Sequence, residues 1–172
     1  RKAIRSTNSA SLSCFSRPSG MRLRGCDSSS RISAFASSRV SPWLSPRVSV
    51  ASPWGRPSDE LLVGLLEGQR CVFLPRHGGG HRIPPSDLNS RANIDVLKRM
   101  GVTELISLSA CGSLRENLPP GTFVIVDQFI DRTKHRIDTF FDEEGLVAHV
   151  SRADPTDAAL SKCLADSAQR TG

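Results

Sequence analysis

Residues 71–81, Cys71-Val72-Phe73-Leu74-Pro75-Arg76-His77-Gly78-Gly79-Gly80-His81, join a short apolar run to a cationic, glycine-rich loop. The apolar run has the length of a strand. Leu61 to Leu66 forms a second such run just before it, with Glu67-Gly68-Gln69 between them as a tight, hairpin-like turn. The loop that follows suits an anion in two ways. Arg76 offers a planar fork of donors for two oxygens of a phosphate or carboxylate, and glycines at 78, 79 and 80 let the backbone approach without a Cβ in the way. His77 can donate a further hydrogen bond. Triple glycine after a strand also serves as a merely flexible loop, and an Arg-His pair there as a solvated edge. This stretch alone leaves both readings open.

Working outward, the chain alternates strand and helix patterns. Arg91 to Met100 reads as a helix, with Ala92, Val96, Leu97 and Met100 on one side, Lys98 and Arg99 near its end and Gly101 as its cap. Leu105 to Leu108 is a short apolar run that predicts a buried strand, ending at Ser109-Ala110-Cys111-Gly112-Ser113. Pro119-Pro120-Gly121 marks a turn, and the β-branched run Thr122 to Asp127 predicts another strand, of the kind buried on both faces. Asp154 as N-cap and Pro155 at the first helical position open a last helix that runs toward Gly172. The order of elements predicts an α/β fold, in which ligands gather at the carboxyl ends of strands. Both polar motifs sit at such ends. Ser109 adds a hydroxyl and the amides after it a backbone nest, completing a candidate anion site with Arg76 and His77.

The rest of the composition narrows the possibilities. The 172 residues carry a net charge of +6, which raises nucleic acid or an anionic membrane as a partner. The excess is local, however. Residues 1–50 hold nine Arg or Lys against Asp27 alone, leaving 14 basic and 16 acidic of the chain's 23 and 17 for the remainder. That leader is Ser- and Arg-rich, lacks an apolar period, contains Ser41-Pro42 and Ser45-Pro46, and predicts disorder. It reads either as an organellar transit peptide, for which Met21 is a possible start, or as an extension without function. Its few aromatics, Phe15 and Phe35 before Pro42, argue against nucleic-acid binding. No apolar stretch approaches the roughly 20 residues that span a bilayer. The five cysteines, 14, 26, 71, 111 and 163, are odd in number and contain no Cys-x-x-Cys pair, so neither a disulfide framework nor a zinc site is expected and no metal is predicted. Cys111 reads as a packed thiol rather than a nucleophile.

From about Ser52 to Asp142 the chain resembles the trimeric purine nucleoside phosphorylases, and most closely their methylthioadenosine phosphorylase branch. The resemblance rests on Pro53-Trp54-Gly55-Arg56-Pro57-Ser58-Asp59, Arg76-His77-Gly78 with His81, Pro85-Ser86 with Asn89, and Arg91-Ala92-Asn93-Ile94. It continues through Ala110-Cys111-Gly112-Ser113-Leu114-Arg115-Glu116, Pro120-Gly121 and Asp127-Gln128-Phe129-Ile130-Asp131-Arg132-Thr133, with weaker similarity beyond. It implies a three-layer α/β phosphorylase-type domain with a mixed central sheet over residues 51–172, truncated and preceded by the disordered leader at 1–50. It implies phosphate contacts from Arg76, His77, Ser109 and Ala110. Ser109 stands where the methylthioadenosine enzymes usually carry threonine. His149 corresponds to a histidine that reaches across the trimer interface to the 5′-alkylthio group.

The activity so implied is phosphorolysis of S-methyl-5′-thioadenosine to adenine and 5-methylthioribose 1-phosphate. Inorganic phosphate is a co-substrate, and no cofactor is implied. The expected partners are a nucleoside, phosphate and two further copies in a homotrimer, with neither nucleic acid nor membrane. The expected location is the cytoplasm, with the nucleus a second compartment, or an organelle if the leader is a transit peptide. Two alternatives stay open: a 6-oxopurine nucleoside as substrate, or a non-catalytic subunit of a phosphorylase trimer. Two family elements are missing from the sequence. One is the glycine-rich loop with a phosphate-binding hydroxyl, expected upstream of Pro53. The other is the carboxyl-terminal half, which supplies a methionine beneath the sugar and aspartates on the purine. Without those aspartates the departing base has no general acid, a loss of roughly 10²- to 10⁴-fold, so this chain alone is expected to be inactive or nearly so.

Overall fold

A computed structural model of the chain describes residues 12–16, 44–66 and 68–171. Five strands form one sheet: β1 (Leu12–Ser16), β2 (Leu44–Val48), β3 (Leu61–Leu66), β4 (Gln69–Leu74) and β5 (Glu104–Ser107), in the spatial order β2-β3-β4-β1-β5. A short 3-10 turn (Pro85–Asp87) and helix α1 (Ser90–Arg99) lie between β4 and β5, and helix α2 (Ala158–Thr171) closes the chain. The predicted hairpin is present. Leu66 pairs with Gln69, and Gly68 takes a φ of +74°, as tight hairpin turns demand. β1 is antiparallel to both β4 and β5. These two therefore run the same way and end at one edge of the sheet.

Helix α1 is built as its sequence predicts. The Asn89 side chain accepts a hydrogen bond from the Ala92 amide (3.0 Å), which satisfies one of the orphan donors of the first turn. At the other end Gly101 adopts φ +78°. Its amide bonds Lys98 O (2.9 Å), and the Val102 amide bonds Leu97 O (3.1 Å), a Schellman closure that only a residue tolerant of the left-handed region completes without strain. Arg70 of β4 donates to the Met100 carbonyl (2.6 Å) and so also occupies an unpaired acceptor at this terminus.

The core is the seam between this helix and the β3–β4 hairpin. Leu61, Val72, Leu74, Val96, Leu97 and Val102 are all buried, with Val50, Val63 and Met100 packed partly against them. Val72 and Leu74 are two residues apart and share one face of β4. Val63 lies directly opposite Val72 in the ladder. Val96 and Leu97 occupy the apolar stripe of α1, so period two on the sheet meets period 3.6 on the helix.

Some of the strand expectations are not met. Residues 1–50 read as a disordered leader, yet Leu12–Ser16 and Leu44–Val48 are strands; residues 1–11 and 17–43 lie outside the described residues. Strand pairing is non-local, so a short segment with no apolar period still pairs where a sheet presents free amides. β2 is an edge strand, and its register shifts between Ser45 and Arg47, around Pro46, which has no amide to donate. The run Thr122 to Asp127 is not a strand, and Phe123 and Val124 are 74% and 53% exposed. β-branching favours extended backbone, but a strand also needs a partner, and among the described residues none pairs with it.

The chain divides into two compact units, one containing residues 40–112 and 136–140 with β1, the other residues 113–135 and 141–171. In the first, the Arg91 guanidinium lies over the Trp54 ring, 4.8 Å from its centre, and donates to Thr139 O (3.4 Å). Phe140 meets Trp54 edge-on at 5.1 Å. The second unit is largely irregular. Gln128 donates to the carbonyls of Arg152 and Ala153 (each 3.2 Å), and Arg152 pairs with Asp131 at 3.4 Å. Hydrogen bonds from the Thr133 hydroxyl and amide, helped by Arg152, hold the Asp131 carboxyl below its usual range. Helix α2 starts later than predicted, because Asp157 rather than Asp154 accepts the Leu160 amide (2.7 Å) and acts as its cap. Cys71 and Cys111 are free thiols, whereas Cys163 is disulfide-bonded, so the reduced set expected from spacing does not hold for Cys163. Cys111 is exposed, contrary to the packed thiol expected there.

The core seam yields a stability prediction. Leu74→Ala should lower the unfolding free energy by about 2–5 kcal/mol, through lost burial and the cavity left behind. Leu65→Ala, at a position 60% exposed on the neighbouring strand, should cost less than about 1 kcal/mol. Urea titration of both variants measures the contrast.

Candidate anion-binding site

Because β4 and β5 end at the same edge of the sheet, the residues just beyond them converge. Arg76 lies two residues past the end of β4, and Ser109 two residues past the end of β5. The guanidinium of Arg76 donates from Nη2 to Ser109 Oγ (2.8 Å) and from Nη1 to Ser107 Oγ (3.2 Å). The direction of these bonds matters. Each serine oxygen accepts from the cation, which leaves each hydroxyl proton to donate elsewhere. Arginine carries five N–H donors, more than these two bonds use. One cation and two hydroxyls thus form a cluster rich in donors at the carboxyl edge of the sheet, which is what an oxyanion with several lone pairs requires.

The loop after Arg76 is closed by two consecutive turns. The Gly78 amide bonds Pro75 O (2.8 Å), enclosing Arg76 and His77, and the His81 amide bonds Gly78 O (3.0 Å), enclosing Gly79 and Gly80. Gly78 and Gly80 adopt φ of +72° and +74°, so the glycines of this loop answer a backbone demand. His77 is buried. Its Nδ1 lies 2.9 Å from Ile83 O, its own carbonyl accepts the Ile83 amide (2.9 Å), and its ring stacks on His81 with centres 4.5 Å apart. A carbonyl can only accept, so Nδ1 carries the proton. Nε2 is then the remaining ring atom, an acceptor in the neutral ring and a donor only in the imidazolium. The expectation that His77 donates to an anion therefore applies to the doubly protonated ring.

Asp59, just before β3, is the acidic neighbour of this loop. Its carboxylate accepts the Gly79 and Glu60 amides and lies 3.6 Å from Arg82. Partial burial acts to raise its pKa. The two amides and the charges of Arg82 and Arg47 outweigh that and hold the carboxyl below its ordinary value.

Of the residues singled out from sequence, Arg76, His77, Ser109 and Ala110 fall in one unit, with Arg76 and Ser109 in direct contact. Ala110 follows Ser109 on an exposed segment. His149 belongs to the second unit and is exposed. Ser107 and Asp59 carried no assigned role in the sequence. Ser107 was accessible to reasoning, since it lies two residues before Ser109 in the run that leads to it. Asp59 was not, because only the fold sets residue 59 beside residue 79. Among the described residues no group of three or more His, Cys, Asp or Glu side chains is placed to hold a metal ion, and no helix is long and apolar enough to cross a membrane.

Residues 28–172 match the Phosphorylase superfamily, and the chain belongs to it. Among named relatives it is similar to S-methyl-5′-thioadenosine phosphorylases: 59% identical over 123 residues to that of Bradyrhizobium diazoefficiens and 58% to that of Cereibacter sphaeroides, covering 72% of this chain and 42% of each relative. The chain thus spans about two fifths of the length of these proteins. Among solved structures it superposes on methylthioadenosine phosphorylase from Schistosoma mansoni in complex with adenine, with a TM-score of 0.73 and 38% identity over 81% of this chain and 52% of that one. A mutant of the Schistosoma enzyme in complex with methylthioadenosine gives 0.69 and 40%, over 74% and 47%. The family resemblance and the phosphorylase-type α/β fold expected from sequence are borne out.

The lowered pKa of Asp59 predicts a pH effect of defined sign. A carboxyl depressed in the folded state adds stability above its unfolded pKa, near the ordinary 3.8, and loses it as pH falls through the lower folded value. Asp59→Asn cannot titrate. Wild type should therefore unfold at higher urea than this variant at neutral pH, by a margin that stays constant down to about pH 5. The margin should shrink as pH falls below 4.

Proposed function

We propose that the protein is a phosphorylase of S-methyl-5′-thioadenosine and that this chain supplies its phosphate-binding part. The observation that carries the reading is the Arg76 guanidinium joined to Ser107 and Ser109 where β4 and β5 end. The named relatives supply the substrate class. In the proposed reaction an oxygen of hydrogen phosphate attacks the anomeric carbon as the C–N bond to adenine breaks, and the departing base gains the proton that the phosphate gives up, so that adenine and 5-methylthioribose 1-phosphate are formed. Charge develops on the sugar ring as the base departs with the bonding pair. The task of these residues is to hold the phosphate dianion in line and keep its lone pairs oriented while that charge develops.

In this reading Arg76 neutralises the phosphate and the hydroxyls of Ser107 and Ser109 donate to it, each oxygen already accepting one bond from the guanidinium. His77 donates from Nε2 when doubly protonated, and the Ala110 amide adds a backbone donor. His149 lines the 5′-alkylthio group from a neighbouring copy in a homotrimer. The reaction needs no metal or cofactor. A purine-salvage role in the cytoplasm, acting on nucleoside and phosphate rather than nucleic acid or membrane, follows from the family resemblance.

The test is phosphate-dependent adenine release from methylthioadenosine, measured on the 172-residue chain and on the full-length product of its gene. Arg76→Ala in the full-length protein should reduce kcat/KM for phosphate by about 10- to 150-fold, the equivalent of one or more hydrogen bonds to a charged partner. Ser109→Ala should cost about tenfold. Full-length protein that releases no adenine would overturn the proposal.

A further inference from the structure

The loop carrying Arg76 and His77 has an anchor to which neither the sequence motifs nor the family match assigns a role. Three successive glycines have the greatest freedom to lose on ordering, so a defined loop here needs restraint from outside itself. Asp59 supplies it. Its Oδ2 accepts the Gly79 amide, inside the second of the two turns, and its Oδ1 accepts the Glu60 amide at 2.8 Å. The loop is fitted around this contact: a Cβ on Gly79 would stand 3.3 Å from Asp59 Oδ2, and one on Gly78 3.0–3.1 Å from the Arg82 side chain. Arg82 in turn lies 3.6 Å from Asp59 and donates to Ser58 O at 3.0 Å.

The anchor is itself fixed to the core. Ser58 and Asn93 are both buried. The Ser58 amide donates to Asn93 Oδ1 (2.8 Å), and Asn93 Nδ2 donates to Ser58 Oγ (2.9 Å). Asn93 belongs to α1, whose Val96 and Leu97 form the core seam. A continuous path thus runs from the helix through Ser58 and Asp59 to Gly79. From there the His81–Gly78 turn, the Ile83–His77 bonds and the His77–His81 stack lead back to the residues of the anion site.

We infer that Asp59 is a positioning residue for phosphate: its carboxylate, although like-charged to the anion, holds the glycine loop so that Arg76 and His77 meet the ligand in a fixed arrangement. This rests on the anion-binding reading above. Arg82 beside the carboxylate offsets its charge, so the group serves as an acceptor for the Gly79 amide without repelling phosphate strongly. The acceptor, rather than the charge, is what the site requires.

The experiment measures inorganic phosphate binding to the whole chain by ³¹P NMR titration, with urea midpoints measured alongside, for wild type, Asp59→Ala, Asp59→Asn and Arg76→Ala. Asp59→Ala should raise the Kd for phosphate about tenfold or more by freeing the loop. Asp59→Asn keeps an oxygen for the Gly79 amide and should recover most of that loss, to within about threefold of wild type. If Asp59→Ala fails to fold, Asp59→Glu replaces it; the longer arm meets the crowded Gly79 position and should weaken phosphate by more than about threefold with the charge retained. Asp59→Ala, or its Glu replacement, binding as wild type does would overturn the inference. So would an Asn variant as weak as Ala, which would make the charge the active property. An Arg76→Ala chain that binds phosphate unchanged would instead reject the anion site itself.

Discussion

The packing of Val96 and Leu97 of α1 against Leu61, Val72 and Leu74 of the β3–β4 hairpin is the constraint on which the described structure turns. These side chains leave water together, and burial of that apolar surface is the main favourable contribution available to the unit. The seam also sets geometry. With α1 fixed on the hairpin, Asn93 is carried to Ser58, Arg91 to Trp54, and the segment before β3 is drawn along the helix. The polar contacts are then formed in places already shielded from solvent, where an unpaired donor or acceptor would be costly. The reciprocal Ser58–Asn93 pair supplies such partners to buried groups on both sides.

From this seam the site follows by direction of travel. β4 leaves the core at Leu74 and β5 ends at Ser107, and because both are antiparallel to β1 they exit at the same edge. A cation after one strand and hydroxyls at and after the other must then meet. The chemistry of the meeting is polarised in a useful sense, since each serine oxygen accepts from the guanidinium and its hydroxyl proton is left to donate elsewhere. The same arrangement explains why the loop after Arg76 is so rich in glycine. It must reverse twice within eight residues, approach Asp59 and Arg82 closely, and still leave His77 against Ile83.

Much of the first unit was legible in the linear sequence, for local reasons. The 61–66 and 69–74 strands are apolar runs around a glycine turn, and α1 carries its own Asn89 cap, apolar stripe and Gly101 stop. Each of these signals lies within a few residues of the element it specifies. The misread strands have a common cause in non-local pairing. Leu12–Ser16 joins the sheet between β4 and β5 although its surroundings have no apolar period, and Thr122 to Asp127 stays unpaired although its composition favours a strand. Composition states what a segment tolerates. Whether a neighbour offers it free amides is decided elsewhere in the chain.

The same division runs through the site. Sequence alone determined that a strand leads into Arg76 and His77, that another leads toward Ser109, and that glycines allow the backbone to come close; with the surrounding motifs, it also determined the family. Those properties belong to residue types and their immediate order. Only the tertiary structure decided that Arg76 binds both Ser107 and Ser109, that Ile83 commits Nδ1 of His77, and that Asp59 reaches Gly79 across 20 residues of chain. A hydrogen bond depends on distances of about 3 Å between particular atoms. Distances of that kind between residues far apart in sequence exist only once the hydrophobic seam has brought the helix and the hairpin together.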